Sequence, residues 1–83
     1  MSIPSDADTD KLAEAALAIL WLGAHGDGDA TRVWKQIDWE LTGLLYDRGW
    51  ISDPQTKAQS VLLSEEGEKL AEKFFQELFS KPK

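Results

Sequence analysis

The sequence predicts an α+β domain, mostly helical, with three main helices and a two-stranded β-hairpin between the second and third helices. Two local patterns lead to this fold class. A helical segment that ends at Gly49 is followed by a short apolar segment at residues 50–52, a polar turn and an alternating segment at residues 60–63. A third segment with helical periodicity then begins after Ser64. Helix, hairpin and helix in this order are typical of the second half of a winged helix.

Length and composition predict one small domain at residues 10–79, between flexible ends at residues 1–9 and 80–83. The chain has 83 residues and no cysteine, which excludes disulfides and thiolate metal sites. Its longest apolar run, residues 15–22, is shorter than the roughly 20 residues that span a bilayer, and no basic leader precedes it. We therefore expect a cytoplasmic protein without a membrane segment.

The first helix is predicted at residues 10–22, capped by Asp8 or Thr9 and ended by a left-handed Gly23. Its last two turns carry apolar residues at every angle, so the helix is either central or shared between two subunits. The glycine- and aspartate-rich segment that follows, residues 24–35, is predicted to be a mobile loop with at most one turn or strand at residues 31–34. The single histidine, His25, is expected to be a solvent-exposed loop residue there.

The second helix is predicted to begin after Asp38 and to end in a Schellman motif at Gly49. It has two apolar faces, because each residue advances by about 100° around the axis. Leu41, Leu44 and Leu45 form one face, and Trp39, Gly43 and Tyr46 lie opposite. Either the helix is sandwiched between other elements, or the second face is an exposed aromatic patch for a partner.

The third helix is predicted to begin after the capping residue Ser64. Gly67 lowers helix propensity near its start, so close approach of another element is the expected reason for a glycine there. The apolar residues of this helix cover about half its circumference, more than the roughly 100° that one core contact needs. They are Leu70, Ala71, Phe74, Phe75, Leu78 and Phe79.

No catalytic, cofactor or metal site is predicted. Asp6, Asp8 and Asp10 imitate the start of a calcium loop, but the position of the turn glycine is occupied by Lys11 and that of the bidentate acid by Leu17. Without cysteine or a second histidine, a nucleophile and its base cannot be assembled. We therefore expect a protein that is not an enzyme and needs no cofactor.

The net charge of −6 opposes nucleic-acid binding, which depends on lysine and arginine at phosphates. The favoured function is therefore a small protein-interaction or assembly module that binds a protein partner or a second copy of itself. A homodimer would share the excess apolar area of helices one and three. Its predicted partner residues are Trp39, Gly43, Tyr46, Trp34 and Trp50. The alternative is a DNA-binding regulator whose phosphate contacts are Arg32, Lys35, Arg48 and Lys57. A third candidate is a small-molecule sensor with a pocket near Trp34, Trp39 and Trp50.

Two stretches resemble known families. The positions Trp34-Lys35, Asp38-Trp39 and Gly49 to Pro54, continued by Lys57 and residues 60–67, resemble a family of short bacterial proteins described as a domain of unknown function. That resemblance implies a fold and a bacterial, cytoplasmic setting. Residues 63–67, Leu-Ser-Glu-Glu-Gly, are similar to the wing-to-helix junction of multiple-antibiotic-resistance and phenolic-acid-repressor regulators. Those regulators have a reader helix where residues 24–36 are rich in glycine and aspartate, so one reader helix is expected to be missing.

Overall fold

The computed structural model describes residues 3–81, in which the chain forms three helices and a three-stranded antiparallel sheet. Parts of the predicted flexible ends, residues 1–2 and 82–83, lie outside the described residues. The strand order is β1-β2-β3. This confirms the α+β class. The elements in chain order are α1 (Thr9–Trp21), β1 (His25–Asp27), β2 (Ala30–Trp34), α2 (Trp39–Asp47), β3 (Ser60–Leu62) and α3 (Glu65–Phe79).

The first helix is central. It packs against α2, α3 and β2, which explains why its second half is apolar on nearly every side. Leu17 and Leu20 are fully buried, whereas Ile19 and Leu22 remain exposed. Of the two alternatives for this helix, enclosure within its own chain therefore accounts for most of its apolar surface. Val33 and Val61 of the sheet complete the core beside it.

The segment expected to be a mobile loop forms the β1–β2 hairpin instead. Its two strands pair from His25 with Arg32 to Asp27 with Ala30, and residues 28–29 form the turn. Gly28 has a φ of 65°, which a glycine at the first turn position of a tight hairpin adopts without strain. The prediction was wrong because β1 is too short and polar to show a strand pattern in the sequence. It is a strand because its backbone pairs with β2.

The hairpin predicted between α2 and α3 is reduced to a short strand and one bridge. β3 pairs with β2, in the register Arg32 to Leu62 and Trp34 to Ser60. The other predicted strand contributes only the bridge from Ile51 to Leu63, with a backbone hydrogen bond of 2.9 Å from Ser52 N to Leu62 O. The predicted placement of the hairpin is therefore not confirmed, because β3 pairs mainly with β2, which precedes α2.

The ends of the first two helices differ in mechanism. At α2 the Gly49 N–H donates to Tyr46 O and the Trp50 N–H to Leu45 O, which confirms the predicted Schellman motif. Gly49 has the required φ of 76°. At α1 the last turn tightens instead, and Gly23 is not left-handed. A Cβ at Gly23 would lie 2.9 Å from the Cδ1 of Trp34, so this glycine is needed for close approach.

The start of α3 lies directly on the end of α2. Ser64 caps α3, since its Oγ accepts a hydrogen bond of 2.9 Å from the Gly67 N–H. A Cβ at Gly67 would overlap the carbonyl oxygen of Trp50 and lie 3.0 Å from the Trp50 Cα. The close approach expected from this glycine is therefore confirmed. It fixes α3 against Trp50, the last residue of the Schellman motif.

A candidate docking groove beside the second helix

An open groove of about 560 Å³ lies along one side of α2. Trp39, Gly43 and Tyr46 share that side because they are spaced by about one helical turn. The loop between α2 and β3 adds Pro54, and the segment before α1 adds Ile3. The residues that line the groove are Ile3, Trp39, Glu40, Thr42, Gly43, Leu44, Tyr46, Asp47, Asp53, Pro54 and Gln55.

The aromatic residues of the groove are open to solvent. Trp39 is 73% exposed and Tyr46 is 47% exposed. A Cβ at Gly43 would meet no atom within 4 Å. Among the described residues no element covers this face, so the sandwiched alternative for α2 was wrong. The opposite face carries the fully buried Leu45 and faces the core, as the helical period predicted.

The groove combines an apolar floor with an acidic rim. Three carboxylates line it, from Glu40, Asp47 and Asp53, and among the described residues that line it there is no lysine or arginine. Glu40 accepts a hydrogen bond of 3.1 Å from the backbone N–H of Ile3. Asp47 and Asp53 are exposed at opposite sides, one on α2 and one on the loop. The groove therefore combines exposed aromatic side chains with negative charge.

The loop that forms one wall, residues 52–59, is tied to the sheet by Lys35. The Lys35 Nζ donates to the carbonyl oxygens of Pro54 at 2.9 Å and Thr56 at 3.0 Å. Within the loop the Gln55 N–H donates to the Asp53 Oδ1 at 2.8 Å, a turn that aspartate commonly forms. These bonds hold the wall opposite Trp39 although the loop has no strand or helix of its own.

Trp34 does not line this groove. It lies at a second hollow of about 470 Å³ beyond the loop, together with Lys35 and Lys57. Its ring stacks on His25 with 4.6 Å between ring centroids, and the His25 Nδ1 lies 2.9 Å from Gly23 O. His25 is thus half-buried in a strand, and its expected place in a solvent-exposed loop was wrong.

Trp50 lies away from both hollows and links α2 to α3. Its indole N–H donates to the Glu66 Oε1 at 3.2 Å, and its ring lies 5.8 Å from that of Phe74. The guanidinium of Arg48 stands 5.8 Å above the indole, within the range of a cation–π contact. Of the five predicted partner residues, the structure therefore brings together Trp39, Gly43 and Tyr46, and places Trp34 and Trp50 elsewhere. Among the described residues, Trp39 and Trp34 lie at two different hollows and Trp50 lines neither, which does not match the common pocket of the sensor hypothesis.

Three of the four cations considered for phosphate contacts have partners within the chain. The Arg32 Nε donates to the Ser60 Oγ at 2.8 Å, and Arg48 forms an ion pair with Asp10. Lys35 binds the loop carbonyls described above. Lys57 is exposed on the loop, beside the second hollow.

Sequence reasoning missed the groove residues that lie outside α2, namely Ile3, Asp53, Pro54 and Gln55. Ile3 is separated from Glu40 by 37 positions, so no local pattern links them. The Asp-Pro pair at residues 53–54 signalled a turn but not which helix that turn would face. These residues could be assigned to the groove only once the packing of the chain was known.

The model of the family described as "Domain of unknown function (DUF6429)" matches residues 8–81. The chain belongs to this family. It is similar to the uncharacterized protein y4hR of Sinorhizobium fredii (strain NBRC 101917 / NGR234), with 41% identity over 76 residues, 92% of this chain and 99% of that protein. No solved structure matches the chain. The predicted resemblance to a small domain of unknown function is confirmed, and the similarity to winged-helix regulators stays a prediction.

Within residues 3–81 no helix combines the length and apolar character needed to cross a membrane. The histidine and carboxylate side chains that the structure describes form no group of three or more able to hold a metal ion.

Proposed function

We propose that this member of the DUF6429 family is a non-catalytic protein-interaction module whose docking surface is the groove beside α2. The observation that carries the proposal is the exposure of Trp39, 73% of which is open to solvent at the edge of a formed groove. A large aromatic ring in water gives up favourable burial, and contact with a partner would recover it. Tyr46 and Gly43 extend the same surface.

The partner that fits this groove is a segment of another protein with bulky apolar side chains beside lysine or arginine. Apolar side chains would pack on Trp39 and Tyr46, and cations would meet the exposed Asp47 and Asp53. Groove-to-groove contact with a second copy is disfavoured, because two acidic rims would face each other. A homodimer through α1 and α3, on which Ile19, Leu78 and Phe79 are exposed, stays a prediction, which sedimentation equilibrium at micromolar concentration tests.

We propose further that the fold is a reduced winged helix in which the loop at residues 52–59 is the wing. The order α2, bridge, loop, β3 and α3 supports this assignment. In a DNA-binding relative the exposed face of α2 would enter the major groove. Here that face carries Trp39 and Tyr46 next to carboxylates, and most candidate phosphate contacts are bound within the chain. The regulator alternative is therefore the weaker of the two functions.

The test is capture of partners from the native host with tagged full-length protein, comparing Trp39→Ala with Trp34→Ala. Both substitutions remove an exposed tryptophan, but only Trp39 lines the groove. We expect Trp39→Ala to weaken partner binding by about 30-fold or more, the effect of about 2 kcal/mol at an interface hot spot. Trp34→Ala should bind as the wild type does.

Direct contact is checked with a photo-crosslinking amino acid in place of Tyr46. Crosslinked peptides of the partner should contain lysine or arginine next to apolar residues. Circular dichroism of each variant establishes that the fold is retained. Equal loss of binding in Trp39→Ala and Trp34→Ala, or retention in both, would remove the groove as the docking surface.

A further inference from the structure

The segment that precedes α1 contacts the groove at the first turn of α2. Ile3 is half-buried among the lining residues, and its backbone N–H donates to the Glu40 Oε2 at 3.1 Å. Glu40 lies in the first turn of α2, directly after Trp39. The chain thus places an aliphatic side chain and a backbone donor of its own in the surface proposed for a partner.

The contact is tethered but sparse. Pro4, Ser5 and Asp6 are exposed, and the Ala7 N–H donates to Pro4 O at 3.0 Å within a short turn. The segment then joins α1 at Asp8, whose side chain accepts a hydrogen bond from the Lys11 N–H. A tether this short holds Ile3 near the groove at an effective concentration on the order of millimolar. Occupation by so few contacts is readily reversed, because each contributes little net free energy in a water-exposed setting.

The negative charge of the segment does not complement the carboxylates of the groove. Asp47 and Asp53 stand exposed at the groove, and the tether brings another carboxylate, Asp6, rather than a cation. A competing segment with the same aliphatic residue and backbone donor, but with lysine at the tether positions, would gain the attraction that the chain's own segment lacks. The chain's own segment is therefore a weak ligand of the groove, and a basic segment should displace it.

We infer that the groove binds an extended segment that places an aliphatic side chain where Ile3 lies and lysine or arginine beside it, and that Ile3 occupies the part of the groove next to Glu40 until such a partner displaces it. This inference rests on the proposed function and names both the class of partner and the regulation of that site. The juxtaposition of Ile3, Glu40 and Trp39 carries it.

The test uses full-length protein and an acetylated, amidated peptide with the sequence of residues 2–8 in which Asp6 and Asp8 are replaced by lysine. Binding is followed by tryptophan fluorescence. We expect Ile3→Ser to bind this peptide roughly three- to tenfold more tightly than the wild type, because the isoleucine side chain no longer competes for the groove. Ser5→Ala, a change at an exposed neighbour outside the groove, should leave the affinity unchanged.

A second peptide with the unchanged aspartates should bind the Ile3→Ser protein several-fold more weakly, and only the affinity of the lysine peptide should fall as salt rises.

The outcomes separate this inference from the proposed function. Equal affinity of the lysine peptide for wild type and Ile3→Ser would show that Ile3 does not compete with a partner for the groove. Absence of binding to either protein, or binding that survives Trp39→Ala, would overturn the class of partner. Capture from the native host uses no such peptide, so loss of captured partner in Trp39→Ala would still support the docking role of the groove after either result.

Discussion

At the scale of single residues, two helical glycines have opposite reasons for being glycine. Gly67 in α3 is buried, and any side chain there would overlap the Trp50 carbonyl. Gly43 in α2 has open space around it and forms part of the groove floor. Sequence alone indicated the first role, because glycine near a helix start needs a packing reason. It could not tell that the second glycine keeps a surface open.

We predict that Gly67→Ala destabilises the fold by about 1–3 kcal/mol, because the overlap with the Trp50 carbonyl outweighs the roughly 1 kcal/mol that alanine gains in helix propensity. Gly43→Ala should instead stabilise it by about 0.5–1 kcal/mol, since alanine fits there without a clash. Urea unfolding of both variants beside the wild type measures the difference. If Gly67→Ala were as stable as the wild type, α3 would not lie against Trp50 as described.

At the scale of elements, the parts that the sequence predicted correctly are those with local signals. The Schellman motif at Gly49 and the cap at Ser64 each depend on residues within one turn. The β1–β2 hairpin was missed because β2 is held by pairing with β3, about thirty positions away, and because His25-Gly26-Asp27, which pairs only with β2, has low strand propensity. The Gly28-Asp29 turn was its one usable signal.

The groove shows the same division. The helical period placed Trp39, Gly43 and Tyr46 on one face, and the structure brings these three together. The two opposite walls come from Ile3 and from the loop with Pro54, which reach α2 through contacts distant in sequence. A periodic pattern describes one element, so it could give one face of the groove and neither wall.

We predict that Lys35→Met loosens the loop that forms the groove wall, because the Pro54 and Thr56 carbonyls lose their common donor. Hydrogen exchange at the Gln55 amide, which donates to Asp53, should quicken by about fivefold, as expected for the loss of ~1 kcal/mol of local stability. Amides of the buried α1 should be unaffected. Lys57→Met is the matched control, since it removes an exposed lysine from the same loop without those two hydrogen bonds. Equal acceleration in both variants would mean that Lys35 does not hold the wall.

At the scale of the whole molecule, the charge favours the proposed interaction module over the DNA-binding regulator. Fifteen acidic residues face nine basic ones, and the sequence pI is about 4.6, so phosphate backbones are repelled at neutral pH. Intramolecular contacts of Arg32, Lys35 and Arg48 restrict the cations further. The same charge favours encounter with basic partners, because long-range attraction raises association rates at low salt.

We predict no binding of random duplex DNA at tens of micromolar protein, even at about 50 mM salt where phosphate contacts are strongest. Fluorescence anisotropy of a labelled duplex measures this. The sharper comparison reverses two surface charges, Asp47→Lys and Asp53→Lys together, beside the exposed Trp39. If the frame is a winged helix with an inverted surface charge, the reversed protein should acquire weak DNA affinity that falls steeply with salt, while losing attraction for basic peptides. Tight, salt-sensitive DNA binding by the wild type would instead support the DNA-binding regulator. Its cations would then have to leave their partners within the chain to contact phosphates.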